Sequence, residues 1–166
     1  MGDIKRKRSL YTKPRKLYDK ARIEEENNVQ FKYGLKNKRE IWKANSKVSD
    51  FRRRAKLLIP QSEEEKQKFF ARLNKMGLKV TSIADVLALT MENWLDRRLQ
   101  TFVVKKALAK TPDQARQLIV HKHVLVNNRT VNSPSFVVSI DLENKIELKK
   151  QKVKKAKDVV EMGVAA

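Results

Sequence analysis

The sequence predicts an α+β protein: a helical segment led by a basic arm, then a compact module of two helices packed on a small twisted β-sheet, with a flexible Lys-rich tail. Three observations predict it. Apolar residues recur at every third or fourth position from Arg39 to Leu58, the repeat of one helix face. Thr111-Pro112-Asp113-Gln114 places a cap, a proline at the first helical position, a first-turn acid and a reciprocal glutamine in order. Beyond His121 the apolar period falls to two, as in a half-buried strand.

Residues 1–37 form the basic arm. Lys5 to Arg8, then Lys13, Arg15 and Lys16, stand among few apolar residues, which describes a segment that orders only against a partner. Tyr11, Tyr18, Phe31 and Tyr33 punctuate it, and two roles fit them equally: stacking on unpaired bases, or stapling the arm to the core.

Residues 38–90 form the helical segment. Its first helix carries Ile41, Ala44, Val48, Phe51, Ala55 and Leu58 on one stripe and closes at Pro60. Arg52, Arg53, Arg54 and Lys56 fall largely off that stripe and read as a dense cationic surface. Ser62 followed by Glu63, Glu64 and Glu65 reads as a capping box with acids where the helix dipole favours them. The helix it opens packs through Phe69, Phe70, Leu73 and Met76 and stops at Gly77. A short amphipathic helix covers Ile83 to Leu89.

Residues 91–148 form the module. Thr90, with Glu92 behind it, caps a helix holding Trp94, Leu95, Leu99, Phe102 and Val103. The next helix runs from Pro112 to about His121 and contains the apolar pair Leu118 and Ile119. Val124 and Val126 then alternate, Asn127-Asn128 turns the chain, and a second β-rich stretch passes through Phe136, Val137, Val138 and Ile140. Ile146 and Leu148 mark a last strand. Residues 149–166 are the tail, which reads as solvated in preference to a nonspecific phosphate contact.

With 166 residues, 40% of them hydrophobic, the chain can bury one sizeable core or two small ones, and no large catalytic domain besides. Lys and Arg number 39 against 19 acids, for a net charge of +20, a self-repulsion that an extended polyanion relieves. The absence of Cys excludes disulfides, thiolate metal sites and Cys nucleophiles. No apolar run approaches the roughly 20 residues that span a bilayer, and no apolar core follows the N-terminal charges, so a soluble, non-secreted chain is expected. The four Gly form no phosphate-binding loop, and no nucleophile motif occurs. Asp85, Asp96 and Asp141 fit caps or ion pairs better than acid–base roles. His121 and His123 flank Lys122 with no acid nearby, which favours a structural or phosphate-facing role over metal ligation. No enzyme activity, cofactor, small-molecule substrate or membrane partner is therefore expected.

The charges of the module have a logic of their own. Arg97 and Arg98 neighbour Leu95 and Leu99, and Arg116 and Gln117 precede Leu118 and Ile119, so two helices project cationic groups beside their packing faces. With the turn His121-Lys122-His123 they can converge on one groove where guanidinium forks grip phosphates; an ordinary solvated face is the alternative. The full candidate contact set is Lys38, Arg39, Arg52, Arg53, Arg54 and Lys56 on the helical segment, with Arg97, Arg98, Lys105, Lys106, Arg116, Gln117, His121, Lys122, His123, Asn127 and Arg129 on the module.

The run RRLQTFVVKKALAKTPDQARQLIVHKHVLVNNRTVNSPSF resembles the RNA-binding module named after small-subunit ribosomal protein S-four, with Ala115 to Ile119, His121, His123, Val124, Val126 and Asn127 carrying its pattern. That module alone also occurs in pseudouridine synthases, tyrosyl-tRNA synthetases and stress proteins. YGLKNKREIWK from Tyr33 to Lys43, the Arg52-Arg53-Arg54 cluster and Asp85-Val86-Leu87 extend the resemblance, over nearly the whole chain, to the ribosomal S-four family in its archaeal and eukaryotic form. Lys122 and Asn128 stand where Gly is common in that family, and without Cys the zinc cluster of some relatives cannot form here.

The resemblance implies a structural constituent of the cytoplasmic small ribosomal subunit. It implies a primary binder that holds a multi-helix junction in the 5′ domain of 16S ribosomal RNA, nucleates assembly, and supports decoding accuracy together with ribosomal protein S-five. That contact lies near the path by which messenger RNA enters, which makes messenger RNA a further candidate partner. An RNA-modifying enzyme lacks the span for a catalytic domain. Against a free-standing RNA-binding assembly chaperone or stress protein, only the Tyr33–Lys43 and Arg52–Arg54 segments speak.

Overall fold

The computed structural model describes residues 9–149; Lys5 to Arg8 and the expected tail from 150 onward lie outside them. One long helix organises the fold. Helix α1 (Lys20–Tyr33) turns at Gly34 into α2 (Lys38–Leu58), and α3 (Glu63–Lys75), α4 (Ile83–Ala88) and α5 (Met91–Leu95) follow. Along α2, Ile41 and Ala44 pack with Val29, Tyr33, Leu35 and Leu95 in one buried cluster. One turn and more further on, Val48, Phe51 and Ala55 pack with Leu73, Leu78, Val80, Val86 and Leu89 in a second. The stripe read from the sequence is thus divided between two small cores, with Trp94 packed against both.

The basic arm of residues 1–37 contains α1, whose Glu26, Val29 and Tyr33 are buried. Its apolar content is low, and polar contacts supply what packing does not. Glu26 accepts from Arg22 Nη1 at 2.7 Å and from Trp42 Nε1 of α2 at 3.0 Å, with Lys38 Nζ at 3.7 Å. Ahead of α1, Thr12 N donates to Ser46 Oγ at 3.2 Å, and the Tyr11 ring lies 5.9 Å from that of Trp42.

The module comprises α6 (Leu99–Lys105), α7 (Pro112–Val120), a short α8 (Ile140–Glu143) and strands β1 (Val124–Val126), β2 (Arg129–Thr130) and β3 (Ile146–Leu148). The sheet order is β2-β1-β3, antiparallel throughout, with Val126 opposite both Arg129 and Ile146. Its core joins Leu99, Phe102, Val103, Ala115, Ile119, Val124, Val126, Val138 and Ile146. Leu118 is only half-buried at its edge, while Ile119 is the fully buried member of the pair.

Two expectations fail for one reason. The single helix expected from Thr90 to Val103 breaks between Leu95 and Leu99, and the β-rich stretch 136–140 does not join the sheet. These two segments bond each other instead. Leu99 N donates to Phe136 O at 2.7 Å, Val138 N to Arg97 O at 2.9 Å, and Arg98 bridges Val137 in extended conformation. The chain returns as β2 directly after Asn127-Asn128, because both asparagines take positive φ (51° and 61°), the pair of left-handed residues a two-residue hairpin needs. Lys122 at φ 62° takes the left-handed place that ends α7, so Lys122 and Asn128 both sit where a left-handed residue is required.

Caps also differ in detail. Thr111 accepts from Gln114 N as expected, but neither the Ser62 nor the Thr90 side chain caps its helix. The reciprocal box forms at Ser82 and Asp85. Backbone and hydroxyl donors from Thr81, then Ser82, hold the Asp85 carboxyl down at a pKa of about 2. Gly77 ends α3 at φ 81°, and the guanidinium of Arg97 lies so close over it that an added Cβ would sit 2.2 Å from Arg97 Cζ.

Three substitutions check this packing by urea denaturation. Ile119→Ala is expected to cost about 2–5 kcal/mol and Leu118→Ala clearly less, in proportion to their burial. Gly77→Ala is expected to destabilise as well, and Arg97→Ala should relieve only the steric part of that loss, because a Cβ at φ 81° stays strained.

Candidate nucleic-acid interface

Where helical segment meets module, a lone carboxylate holds the junction. Glu40, in the first turn of α2, receives Arg98 Nη2 on Oε2, and Arg116 Nη2 on Oε1 at 3.0 Å. Arg98 is 5% exposed, and Arg116 also reaches Gly34 O at 3.5 Å. Gln100, buried beside them, places Nε2 within 3.1 Å of the carbonyls of Tyr33, Gly34 and Pro112. Arg97 spends its guanidinium on Val138 O at 2.7 Å and Glu143 Oε1 at 2.5 Å, and it lies 4.7 Å from the Phe102 ring centre.

Arg97 therefore does not converge with Arg116, and Arg98 meets Arg116 on Glu40 with its guanidinium bound to that carboxylate. Arg97 and Arg98 are turned inward to acceptors that the break between α5 and α6 brings within reach. Arg52 is similarly committed, donating to Leu89 O at 2.6 Å, and Arg53 pairs with Asp50 at 3.1 Å. Successive helical residues point about 100° apart, so Arg52, Arg53 and Arg54 do not form one cationic surface. Lys38 faces Glu26, and Lys105 pairs with Asp96 at 3.5 Å.

Other expected contacts remain outward. Arg39, Arg54, Lys56, Gln117, His121, Lys122, Asn127 and Arg129 are exposed, and Lys106 and His123 are half-exposed. Arg116, Gln117 and His121 do share a hollow, joined there by Gly34, Leu35 and Lys36. On the other side of Arg116 a cleft of about 330 Å³ separates α2 from the module, lined by Lys43, Lys47, Arg98, Arg116 and the Pro134-Ser135 turn. Arg116 borders both hollows, which therefore adjoin at its side chain and together make up the furrow between α2 and the module. Exposed Lys43, Lys47 and Arg54 follow one another at about one and then two helical turns and share a side of α2.

Lys36, Lys43 and Lys47 were not among the residues singled out from sequence, nor was Glu40. The signal available was spacing: Arg39, Lys43 and Lys47 repeat one turn apart beside the apolar stripe. Nothing local marks Glu40, whose partners lie 58 and 76 residues away. Among the described residues no cluster of three or more His, Asp or Glu could hold a metal ion.

The S4 domain family model matches residues 97–144. Small ribosomal subunit protein uS4 of Saccharolobus islandicus is 45% identical over 155 residues, covering 89% of this chain and 85% of the relative. The chain belongs to the uS4 family. The uS4 proteins of Methanococcus aeolicus and Korarchaeum cryptofilum are each 42% identical, over 88% and 89% of this chain and 86% and 92% of theirs.

In this uS4 chain the junction carboxylate is electrostatically set. Burial by itself would raise Glu40, but hydrogen bonds from Arg98 and Arg116, reinforced by their charges, together hold it below its ordinary value of 4.5. A carboxylate depressed on folding stabilises fully above its unfolded value and loses that contribution as pH falls through the folded one. Glu40→Gln is accordingly expected to lower stability near pH 7 by up to about 3 kcal/mol in urea titrations, since it leaves buried guanidinium charge uncompensated. The gap to the parent protein should close as pH drops below about 4.5.

Proposed function

We propose that the chain is a structural constituent of the small ribosomal subunit that binds a multi-helix junction in the 5′ domain of 16S ribosomal RNA along the furrow centred on Arg116. The observation that carries this is that the two hollows of the furrow adjoin at Arg116. Lys36, His121 and Arg116 border one end and Lys43 and Lys47 the other, with Arg54 further along the same side of α2. Such a track spans helical segment and module at once, so it can engage phosphates from different RNA helices only when the two are locked in the geometry that Glu40 sets. That is recognition by shape, which suits a crowded junction whose base edges are hard to reach.

Family membership supports the remainder of the reading: nucleation of subunit assembly, a place beside ribosomal protein S-five near the path by which messenger RNA enters, and a contribution to decoding accuracy. The protein acts in the cytoplasm, on the ribosome, by holding RNA and with no reaction of its own. Its committed arginines maintain the shape, and its outward lysines meet the phosphates.

Binding to a 5′-domain transcript, against an unrelated structured RNA of equal length, tests the proposal. A preference of order 10³ surviving near physiological salt is expected, and equal affinities that collapse together with salt would refute it. Lys43→Ala/Lys47→Ala/Arg54→Ala should weaken binding without loss of fold and flatten the salt dependence by roughly 2–3 in slope, one unit or slightly less for each phosphate no longer neutralised.

A further inference from the structure

Of the four aromatic residues in the basic arm, residues 1–37, the structure uses two internally. Tyr33 is buried with its hydroxyl toward Asp96 at 3.2 Å, and Tyr11 stacks near Trp42. Tyr18 and Phe31 stand out from the surface, and Phe31 is 90% exposed although it sits on a well-anchored helix. Its ring borders a further hollow of about 360 Å³, lined also by Asn27, Gln30, Gly34, Leu35 and Asp113. That size lies within the range of small-ligand sites. Gly34, Leu35 and Asp113 also line the hollow containing Arg116 and His121, so the Phe31 hollow adjoins that end of the furrow.

The chemistry changes at this end. Among the described residues, those lining the Phe31 hollow supply one carboxylate, two side-chain amides, an aromatic ring and no cation, on a chain of net charge +20. A phosphate would meet Asp113 with no cation of that lining to balance it. A nucleobase presents an apolar face to the ring and edge donors to the carboxylate, while the amides of Asn27 and Gln30 can donate or accept. Exocyclic amino groups of adenine, guanine or cytosine suit a carboxylate acceptor, and the purines among them add the larger stacking face.

We propose that the Phe31 end of the furrow takes one unpaired purine of the bound RNA, stacked on the ring with its amino-bearing edge toward Asp113. This rests on the RNA reading above and adds a base-specific contact to a surface otherwise suited to phosphates. It places an extruded nucleotide beside the α1–α2 turn, along the furrow from the cations that hold its backbone.

The test uses the full chain and the 5′-domain transcript at about 150 mM salt. Affinity and dimethyl sulfate protection are measured for Phe31→Ala, Phe31→Leu, Phe31→Trp and the Lys43→Ala/Lys47→Ala pair. Phe31→Ala and Phe31→Leu are expected to weaken binding by about 10-fold and to expose a single purine, with the rest of the footprint intact, while Phe31→Trp retains both. Replacing that purine by a pyrimidine should reproduce the loss in the parent protein and add nothing to Phe31→Ala. Parent-like binding by Phe31→Ala, beside weakened binding by the lysine pair, overturns this inference alone. Equal binding by the Leu and Trp variants also overturns it, because an apolar contact would then suffice. Parent-like binding by the lysine pair would instead bring down the furrow reading on which it depends.

Discussion

The pairing of Glu40 with Arg98 and Arg116 is the constraint from which the rest of the architecture follows. A chain of net charge +20 brings the basic helix α2 against the guanidinium groups of Arg98, at the start of α6, and Arg116, on α7, and without an anion between them that approach would be repulsive. One carboxylate receiving two guanidinium groups offsets this and fixes direction as well as distance, because guanidinium hydrogen bonds are planar and oriented. Gln100 extends the same junction to the turn after α1 and to the start of α7, and Arg97 fastens the loop after α3 by lying over Gly77.

These contacts sort the cations into two populations. Arg97, Arg98, Arg52 and Arg22 have backbone carbonyls or carboxylates of the protein itself as partners, and their planar donors suit such fixed internal geometry. Lys36, Lys43 and Lys47 stand outward, where a flexible, strongly hydrated ammonium can follow a phosphate backbone. Arg116 belongs to both, since it grips Glu40 and borders the two hollows of the furrow. The surface offered to a polyanion thus depends on the arginine scaffold that holds α2 and α7 side by side.

Much of the fold was legible in the sequence because its signals are local. The 3–4 spacing of Ile41, Ala44, Val48, Phe51 and Ala55, the Thr111-Pro112 start and the alternation at Val124 and Val126 each reflect backbone geometry within a few residues. The break between α5 and α6 was not legible. Trp94 through Val103 carries a fair helical pattern, and it is interrupted only because residues 136–138 hydrogen-bond to Arg97 and Leu99. Helix α1 was obscured for a related reason: it is held largely by Glu26, Arg22 and Trp42, contacts that carry little hydrophobic periodicity.

The sequence by itself determined that this is a strongly basic α+β chain, since composition, caps and periodicity are summed over residues or confined to neighbours, and its motifs carried the resemblance to the S-four family. Only the tertiary structure decided which cations face outward. A charge in a sequence does not reveal whether a carboxylate many tens of residues away will neutralise it. Folding settled that for Arg98 and Arg116 by bringing Glu40 between them, and it left Lys43 and Lys47 on the open side of the same helix.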